Sequence, residues 1–383
     1  FYIAYFVMAI PSGILLKKVG FKRGIMYGFM LTALGAFLFV PAALVRQFEI
    51  FLIGLFSIGT GLAILQTAAN PYVTIIGPIE SAARRISIMG ICNKFAGIIS
   101  PLIFAALILK ADDSELFSLI ESGTLDAITK SAMLDELIQR VIVPYAILGG
   151  LLVLAGIGIR YSILPEINTD EQNATDEKEN GHNSKKSIFD FPYLILGALA
   201  IFFHVGTQVI AIDTIINYAN SMGIDLLEAK VFPSYTLACT MIGYILGILI
   251  IPKYVSQTKA LIICTVLGLL LSFGVVFADF NVTLFGHQAN ISIFLLCALG
   301  FPNALIYAGI WPLSIHGLGK FTKTGSSLLI MGLCGNAILP LIYGYFAEVY
   351  DLRIGYWILI PCFLYLIFFA TKGYKINSWK RNY

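Results

Sequence analysis

Residues 64–77, ILQTAANPYVTIIG, concentrate hydrogen-bonding side chains at the end of a long apolar run. Four of these side chains recur at helical spacing and share one face of a helix: Gln66, Thr67, Asn70 and Thr74. Pro71 adds to the polarity of this face, because it cannot donate to the helical ladder and frees a carbonyl near Thr67. Polar groups in an apolar medium must find partners or they destabilise the protein. The face therefore either hydrogen-bonds to neighbouring helices or lines a water-filled cavity that binds a hydroxylated ligand.

The composition of the whole chain is that of a membrane protein. Of the 383 residues, 58% are hydrophobic and 12% are charged, with a mean hydropathy of +0.86. An ordinary soluble domain has about 25% charged residues, so this chain lacks the polar surface that a soluble protein needs. The composition predicts a protein that crosses a membrane many times. The net charge of +3 gives no reason to expect nucleic acid as a partner.

Eleven apolar stretches have roughly the length of a membrane-spanning helix, about 20 residues. These stretches are 1–16, 24–45, 50–77, 87–109, 141–163, 191–219, 232–252, 259–279, 291–316, 325–347 and 354–372. The chain starts at Phe1 inside an apolar stretch and without Met, so we expect a preceding span to be missing. Six cysteines lie in apolar runs with no CxxC pair, which predicts neither disulfides nor a metal site.

Basic residues are distributed unevenly between the connections on the two sides of the membrane. Alternating connections place eighteen Lys and Arg residues on one side and six on the other. Cytoplasmic connections carry the excess of basic residues. We therefore expect the turn at 17–23 and the C-terminus to be cytoplasmic, in an integral protein of the plasma membrane, with the bacterial inner membrane as the expected location.

Two polar segments interrupt the apolar stretches. Residues 110–139 are acidic, lie on the outer side and contain pairs of apolar residues, which predicts short amphipathic helices on the membrane surface. Residues 164–190 have almost no apolar content and predict a flexible cytoplasmic linker. The linker separates an N-terminal helix bundle, 1–163, from a C-terminal bundle with a short cytoplasmic tail, 191–383.

The two predicted bundles share a repeated pattern. IMGIC at 88–92 recurs as IMGLC at 330–334, and GILL at 13–16 recurs as GILI at 247–250. In both cases the partners occupy corresponding spans with the same orientation, which indicates halves related by an axis along the membrane normal. Five visible spans precede the linker and six follow it, so one missing span would make the halves equal.

Three motifs resemble those of a known family. GILLKKVGFKR at 13–23 resembles the Gly-x-x-x-Asp-Arg-x-Gly-Arg-Lys signature of the major facilitator superfamily, but Lys17 stands at its acidic position. LQTAANPYVTIIG at 65–77 and GLGKFTKTGSSLLIMG at 317–332 are similar to the fucose:proton symporter family, which includes glucose/galactose transporters. The resemblance covers the whole chain.

The resemblance implies an all-α membrane protein with the major facilitator fold. That fold has two six-helix bundles in a pseudo-twofold parallel repeat, of which eleven spans are visible here and the first helix is missing. It further implies a secondary active transporter that imports a monosaccharide, a hexose or deoxyhexose, by alternating access with proton coupling. We expect a monomer without a cofactor.

The resemblance also places sugar-binding residues among the polar side chains of the spans. The candidate sugar ligands are Gln66, Asn70, Asn93, Gln208, Asn303, Trp311 and Asn336. Gln66 and Gln208 stand where relatives often have glutamate, and an amide can bind a hydroxyl but cannot carry a proton. The indole of Trp311 can stack on a pyranose and donate to a hydroxyl, although core packing is an equally simple explanation for it.

Three ionisable residues inside the spans are candidates for coupling: Asp213, Lys94 and His204. Charges at such depth are costly and are usually paired or functional, and Lys94 and Asp213 are predicted to compensate each other directly or through water. The alternatives are snorkelling of Lys94 to the inner surface, contact of Asp213 with outside water, and packing of a hydrogen-bonded His204. We expect coupling to rest on a carboxylate in the missing first helix, as the family implies, and otherwise on Asp213 or on sodium.

Other functions remain open on the sequence alone. An uncoupled sugar facilitator or a sodium-coupled symporter would have the same fold. A non-transporting membrane sugar sensor would need a signalling domain, for which the linker and the C-terminal tail are too short. An intramembrane enzyme would need clustered catalytic or metal-ligating residues, and the four histidines are scattered.

Overall fold

The computed structural model describes residues 2–108, 127–167 and 187–379, and most of these residues are helical. The N-terminal part contains α1 (Tyr2–Val45), α2 (Phe48–Ile75), α3 (Ala82–Ile108), α4 (Ala127–Gln139) and α5 (Ile142–Tyr161). The C-terminal part begins with α6 (Pro192–Asp213), α7 (Ile215–Ser221), α8 (Leu226–Ala229), α9 (Phe232–Ile250) and α10 (Gln257–Phe277). It continues with a hairpin of β1 (Asn281–Leu284) and β2 (His287–Asn290), then α11 (Ile291–Ala298), α12 (Gly300–Ile315), α13 (Thr322–Met331), α14 (Gly335–Val349), α15 (Leu352–Gly355) and α16 (Leu359–Thr371).

Nine helices in the described ranges are long and apolar enough to cross a membrane. The predicted stretches 1–16 and 24–45 belong to one of the nine, because α1 continues through the expected turn with a kink. The predicted stretch 87–109 corresponds to α3, which is helical but is not among the nine. Each remaining stretch corresponds to one of the other eight helices. The prediction of a multi-pass, all-α membrane protein is confirmed.

The kink in α1 depends on Gly20, whose φ of 80° lies in the left-handed region that other residues rarely adopt. The backbone N–H of Phe21 leaves the helical ladder at this bend and donates to Oε1 of Glu166 at 2.6 Å. The Lys323 ammonium lies 5.5 Å from the centroid of the Phe21 ring, within the range of a cation–π interaction. The turn predicted at 17–23 is therefore a kink at a single residue, and the side chains of Glu166 and Lys323, which lie outside α1, stabilise it.

The structure divides into two compact units whose boundaries fall inside helices. The first unit contains residues 22–65 and 95–165. The second unit contains residues 2–21, 66–94 and 166–383. The division into N-terminal and C-terminal bundles at the linker stays a prediction.

In the first unit, α1 and α2 approach each other through glycines. A Cβ on Gly35 would collide with the backbone of Gly54, so only small residues allow this approach. Phe39, one turn farther along α1, stacks on Tyr145 of α5 with ring centroids 4.3 Å apart. The helices of this unit are therefore held by backbone proximity and by aromatic packing.

The outer polar segment at 110–139 is described only in its second half. There α4 is helical, as the sequence predicts, and its Asp135 forms an ion pair with Arg46 at the end of α1. Its position on the membrane surface stays a prediction, since residues from Met133 onward belong to a candidate span. Residues 109–126 lie outside the described residues, so the rest of that prediction is untested.

The predicted linker is described only at its two ends, since residues 168–186 lie outside the described ranges. Where the description resumes, Ser187 and Asp190 form a capping box. The Ser187 backbone N–H donates to Asp190 Oδ2 at 2.9 Å, and Ser187 Oγ accepts from the N–H of Phe189 at 3.3 Å. These bonds fix the approach of the chain to α6.

In the second unit, α6 lies in the middle of the helical core. Among the helices of the same unit that it packs against are α9, α12, α13, α14 and α16. The largest side chains around it, such as Trp311 of α12 and Phe363 of α16, are fully buried. Polar residues on α6 and α12 are therefore enclosed by protein on several sides.

Arg85 of α3 closes the carboxyl end of α2. Its guanidinium donates to the backbone oxygens of Val73 at 2.7 Å, Thr74 at 2.6 Å and Gly77 at 3.2 Å. Two further bonds reach the Pro78 oxygen and the Ser81 hydroxyl, at 3.0 and 2.6 Å. The last carbonyls of a helix have no partner within it, and a cation also complements the negative end of the helix dipole.

We expect Arg85→Lys to lower the free energy of unfolding by about 2 kcal/mol, because an ammonium cannot replace the planar array of donors. Thermal unfolding of the purified protein in one detergent measures the change. The matched control is Arg84→Lys at the neighbouring exposed position, which should leave the midpoint unchanged. Equal shifts for both variants would contradict a special role of Arg85.

Candidate functional site

The polar face predicted at the end of α2 reaches two tyrosines of the second unit. Gln66 Nε2 donates to the hydroxyl of Tyr5 in α1 at 3.1 Å. Asn70 Nδ2 donates to the hydroxyl of Tyr307 in α12 at 3.0 Å, and Asn70 is only 3% exposed. Thr74 is satisfied locally, since its hydroxyl donates to the Asn70 carbonyl at 2.8 Å. Helix-to-helix hydrogen bonding, one of the two alternatives, is thus present at both amides.

Three polar side chains of α12 follow one another at intervals of four residues. Asn303, Tyr307 and Trp311 therefore lie on one face of the helix, and Asn303 and Trp311 are at most 1% exposed. Asn303 Oδ1 and Trp311 Nε1 make no hydrogen bond of ordinary geometry with the described residues. The rings of Tyr307 and Trp311 meet edge to face, with centroids 6.0 Å apart. This face therefore buries an acceptor, Asn303 Oδ1, that has no partner in the described part of the chain, while the Trp311 indole interacts with the Tyr307 side chain.

His204 of α6 faces the same region of α12. Its ring centroid is 6.2 Å from that of Tyr307, and it is 1% exposed. Its Nδ1 has no hydrogen-bond partner among the described residues. Gln208, one turn farther along α6, is half-buried, and no described group forms a hydrogen bond with its side chain. One alternative from the sequence was that His204 is a hydrogen-bonded residue of the packed core. Its Nδ1 forms no such hydrogen bond with the described residues.

Asn336 of α14 joins this region from a third helix. Its neighbour Gly335 lies against the backbone of Phe202, and Leu339 lies against Gly206, so Asn336 is near the level of His204. The side chain is half-buried, and its Oδ1 has no partner in the described part of the chain. We name the set of His204, Asn303, Tyr307, Trp311 and Asn336 the polar cluster.

Lys94 of α3 is half-buried, and its positive charge disfavours a second positive charge on the buried His204. No carboxylate in the described ranges forms an ion pair with it, and the direct pair predicted with Asp213 is not formed. The neighbouring Asn93, a predicted sugar ligand, is exposed, and no described group hydrogen-bonds to its side chain. Of these two α3 residues, the structure relates only Lys94 to the polar cluster.

Asp213 lies apart from these residues, at the last position of α6, where its side chain is exposed. Thr214 joins α6 to α7, and its backbone N–H donates to the Ile210 carbonyl at 3.2 Å. The Thr214 hydroxyl is hydrogen-bonded to that of Tyr356 at 2.7 Å. The predicted depth of Asp213 inside the span 191–219 stays a prediction, since helical hydrogen bonding continues past α6 and the Thr214 carbonyl accepts from the N–H of Tyr218 at 3.0 Å.

The polar cluster is suited to a neutral ligand with several hydroxyl groups. Buried polar atoms without partners cost free energy, and a ligand hydroxyl can both donate and accept. The cluster contains no carboxylate, so nothing in it neutralises a bound cation. Indole and phenol rings beside the amides add apolar faces that match the C–H face of a sugar ring. Tyr5 and Tyr307 were missed in the sequence, where the four-residue spacing of Tyr307 from Asn303 and Trp311 was the available signal.

The sequence pattern of the Major Facilitator Superfamily matches residues 1–332. The chain belongs to the major facilitator superfamily. It is also 31% identical over 380 residues to the "Glucose/galactose transporter" of Brucella abortus biovar 1 (strain 9-941), a match that covers 98% of this chain and 84% of the relative. The "L-fucose-proton symporter" of Escherichia coli (strain K12) is 31% identical over 381 residues, with coverage of 99% and 84%.

A solved structure extends the likeness to the fold. The crystal structure of the transporter FucP in the outward conformation aligns with 99% of this chain and 88% of its own chain, with a TM-score of 0.81 and 27% identity. The predicted fold class and the narrower resemblance to sugar transporters are both confirmed. The relatives are transporters, which rejects the alternative of an intramembrane enzyme.

Proposed function

We propose that this protein imports a monosaccharide, a hexose or deoxyhexose, by alternating access and in symport with protons. The observation that carries the proposal is the polar cluster, in which His204 and Asn303 are buried on two packed helices with polar atoms that no described residue satisfies. Buried polar atoms without hydrogen bonds lower the stability of the sugar-free protein, whereas a ligand with several hydroxyls would form hydrogen bonds with all of them.

The names of the relatives support the substrate class. Two of them are called glucose/galactose transporter and L-fucose-proton symporter. Hexoses and deoxyhexoses share ring hydroxyls and an apolar ring face, so one site of amides and aromatic rings can select the class. Which hydroxyl positions are recognised decides the individual sugar.

We assign different roles to the predicted site residues. Asn303, Trp311, Gln208 and Asn336 bind the sugar directly, since no described group forms a hydrogen bond with Gln208 and both Asn303 and Asn336 hold unpartnered polar atoms. Gln66 and Asn70 orient the hydroxyls of Tyr5 and Tyr307. Asn93 stays a proposed ligand on the family resemblance alone.

The proposal includes the membrane setting predicted from the basic residues. The protein is a multi-pass membrane transporter, and the bacterial relatives support the inner membrane as its location. We propose that the C-terminus is cytoplasmic, that the bundles at 1–163 and 191–383 alternate access about the sugar, and that the protein is a monomer.

Sugar accumulation in proteoliposomes tests the function. With labelled D-glucose, D-galactose and L-fucose, we expect at least one sugar to accumulate against its gradient when the inside is alkaline. A protonophore should abolish this accumulation. Under a sodium gradient alone we expect only equilibration, and protein-free liposomes are the control.

Asp213→Asn tests the location of the coupling group. Because Asp213 is exposed at the end of α6, we expect this variant to keep accumulation within about twofold of the wild type. Loss of accumulation with preserved equilibration would assign coupling to Asp213. If the wild type only equilibrates the sugar under both gradients, the protein is an uncoupled facilitator. If it accumulates sugar under the sodium gradient alone, it is a sodium symporter. The absence of any uptake would overturn the proposed function.

A further inference from the structure

The β-hairpin between α10 and α11 presents a polar face that the transport function does not use. Its strands are antiparallel and pair Asn281 with Asn290 and Thr283 with Gln288. Side chains directly opposite each other, at every second position, lie on the same face of a two-stranded sheet. Four hydrogen-bonding side chains therefore share one face. By the charge distribution, this hairpin lies on the outer side of the membrane.

Contacts at its base hold the hairpin in place. The Asn290 amide donates to Oδ1 of Asp279 at 2.8 Å, and the Arg353 guanidinium lies 3.0 Å from the same oxygen. At the other end of β2, His287 Nδ1 is 2.6 Å from Oε1 of Glu228 in α8. An isolated two-stranded hairpin is marginal in water. These contacts to the neighbouring connections give it a defined position.

A cavity of about 380 Å³ lies beside the polar face. Met222 and Ile224 line it together with Asp279, Ala289 and three amide side chains, Asn281, Gln288 and Asn290. The Asn281 and Gln288 side chains are exposed, and no described group forms a hydrogen bond with either of them. The volume is at the lower end of the range for small-molecule sites, about 300–1,000 Å³, which suits a single sugar ring.

The charges around the cavity select a neutral ligand. Hydrogen bonds from Asn290 and Arg353 hold the pKa of the Asp279 carboxyl below its ordinary value, so Asp279 is ionised at neutral pH and repels anions. The Arg353 guanidinium at the same carboxylate opposes a metal cation. The carboxylate and the free amides can hydrogen-bond adjacent hydroxyls, while Met222 and Ile224 offer an apolar wall to a sugar ring.

We propose that this cavity, which we name the outer pocket, binds a monosaccharide before transport, at a site separate from the polar cluster. The inference rests on the proposed function, since it takes the transported sugar class as the ligand. It adds a second binding step on the outer side, from which the bound sugar passes on to the polar cluster.

Equilibrium binding of labelled sugar to the full chain in nanodiscs tests the outer pocket. With D-glucose, D-galactose and L-fucose, we expect two classes of site in the wild type and one in Asn281→Ala/Gln288→Ala. In proteoliposomes the same double variant should raise the sugar concentration for half-maximal uptake about tenfold. Its maximal rate should be unchanged, because the polar cluster is intact.

Three further variants make the result specific. Asn220→Ala removes an exposed amide of the neighbouring α7 that does not line the cavity, and should keep both classes of site. Ile224→Trp fills the cavity without removing a polar group, and should lose the same class as the double variant. Asn303→Leu should retain the outer class alone.

Two results would overturn the outer pocket. The first is that the wild type accumulates sugar but binds it at a single class of site. This result would leave the proposed function intact. The other is wild-type binding by both Asn281→Ala/Gln288→Ala and Ile224→Trp. A wild type that neither binds nor accumulates any of the three sugars would overturn the proposed function as well.

Discussion

Asn303→Leu should lower the efficiency of sugar uptake about a hundredfold and leave the sugar-free protein as stable as the wild type, or slightly more stable. Asn303 is 1% exposed, and its Oδ1 has no partner among the described residues. Leucine has nearly the same shape and removes a buried acceptor that nothing satisfies, so its effect on unfolding is expected to be neutral or favourable. Loss of an amide that a sugar hydroxyl would satisfy should lower the uptake efficiency about a hundredfold.

Asn70→Leu is the matched comparison, because Asn70 is an equally buried amide with a partner. Its Nδ2 bonds the Tyr307 hydroxyl at 3.0 Å, so leucine there breaks a buried hydrogen bond and should lower the free energy of unfolding by about 1 kcal/mol. Uptake of labelled sugar in proteoliposomes and thermal unfolding in one detergent measure both effects. If Asn303→Leu destabilises the protein as much as Asn70→Leu does, Asn303 is a structural residue and not a sugar ligand.

The polar face at 64–77 could be read from the sequence because helical spacing alone determines which side chains share a face. Gln66 and Asn70 were found in this way, and the structure shows both of them hydrogen-bonded. Their partners could not be found, since the spacing within one helix does not say which other helix lies opposite. Tyr5 and Tyr307 are 61 and 237 residues away in the chain.

The membrane-spanning character also followed from the sequence, whereas breaks within spans did not. Gly20 interrupts α1 without ending it, and a glycine in an apolar run gives no sign of its φ angle. The hairpin of β1 and β2 was missed because its strands have four residues each, too few for a pattern of period two to stand out. Its turn, Phe285 followed by Gly286, has positive φ at both positions, and only the glycine is typical of such turns.

The predicted compensation of Lys94 by Asp213 failed in its direct form for a physical reason. Both residues were placed by counting from the ends of apolar stretches, which gives the depth of a residue but not the neighbours of its side chain. The Asp213 side chain is exposed at the last residue of α6. Lys94 keeps its place on α3, and the ionisable group on which its charge acts is His204. A cation without a carboxylate partner among the described residues is costly inside a membrane protein, which favours a functional role.

Lys94→Met should therefore reduce proton-driven sugar accumulation at least about tenfold while uncoupled equilibration persists. The reason is that Lys94 and a protonated His204 repel each other, so the charge of one affects proton binding at the other. A double-mutant cycle on the accumulation ratio checks the partner. Lys94→Met combined with His204→Gln should be non-additive, and Lys94→Met combined with Asp213→Asn should be additive, since Lys94 and Asp213 form no ion pair. Wild-type accumulation by Lys94→Met would mean that its ammonium snorkels to the inner surface, and additivity with His204→Gln would show that the two groups act independently.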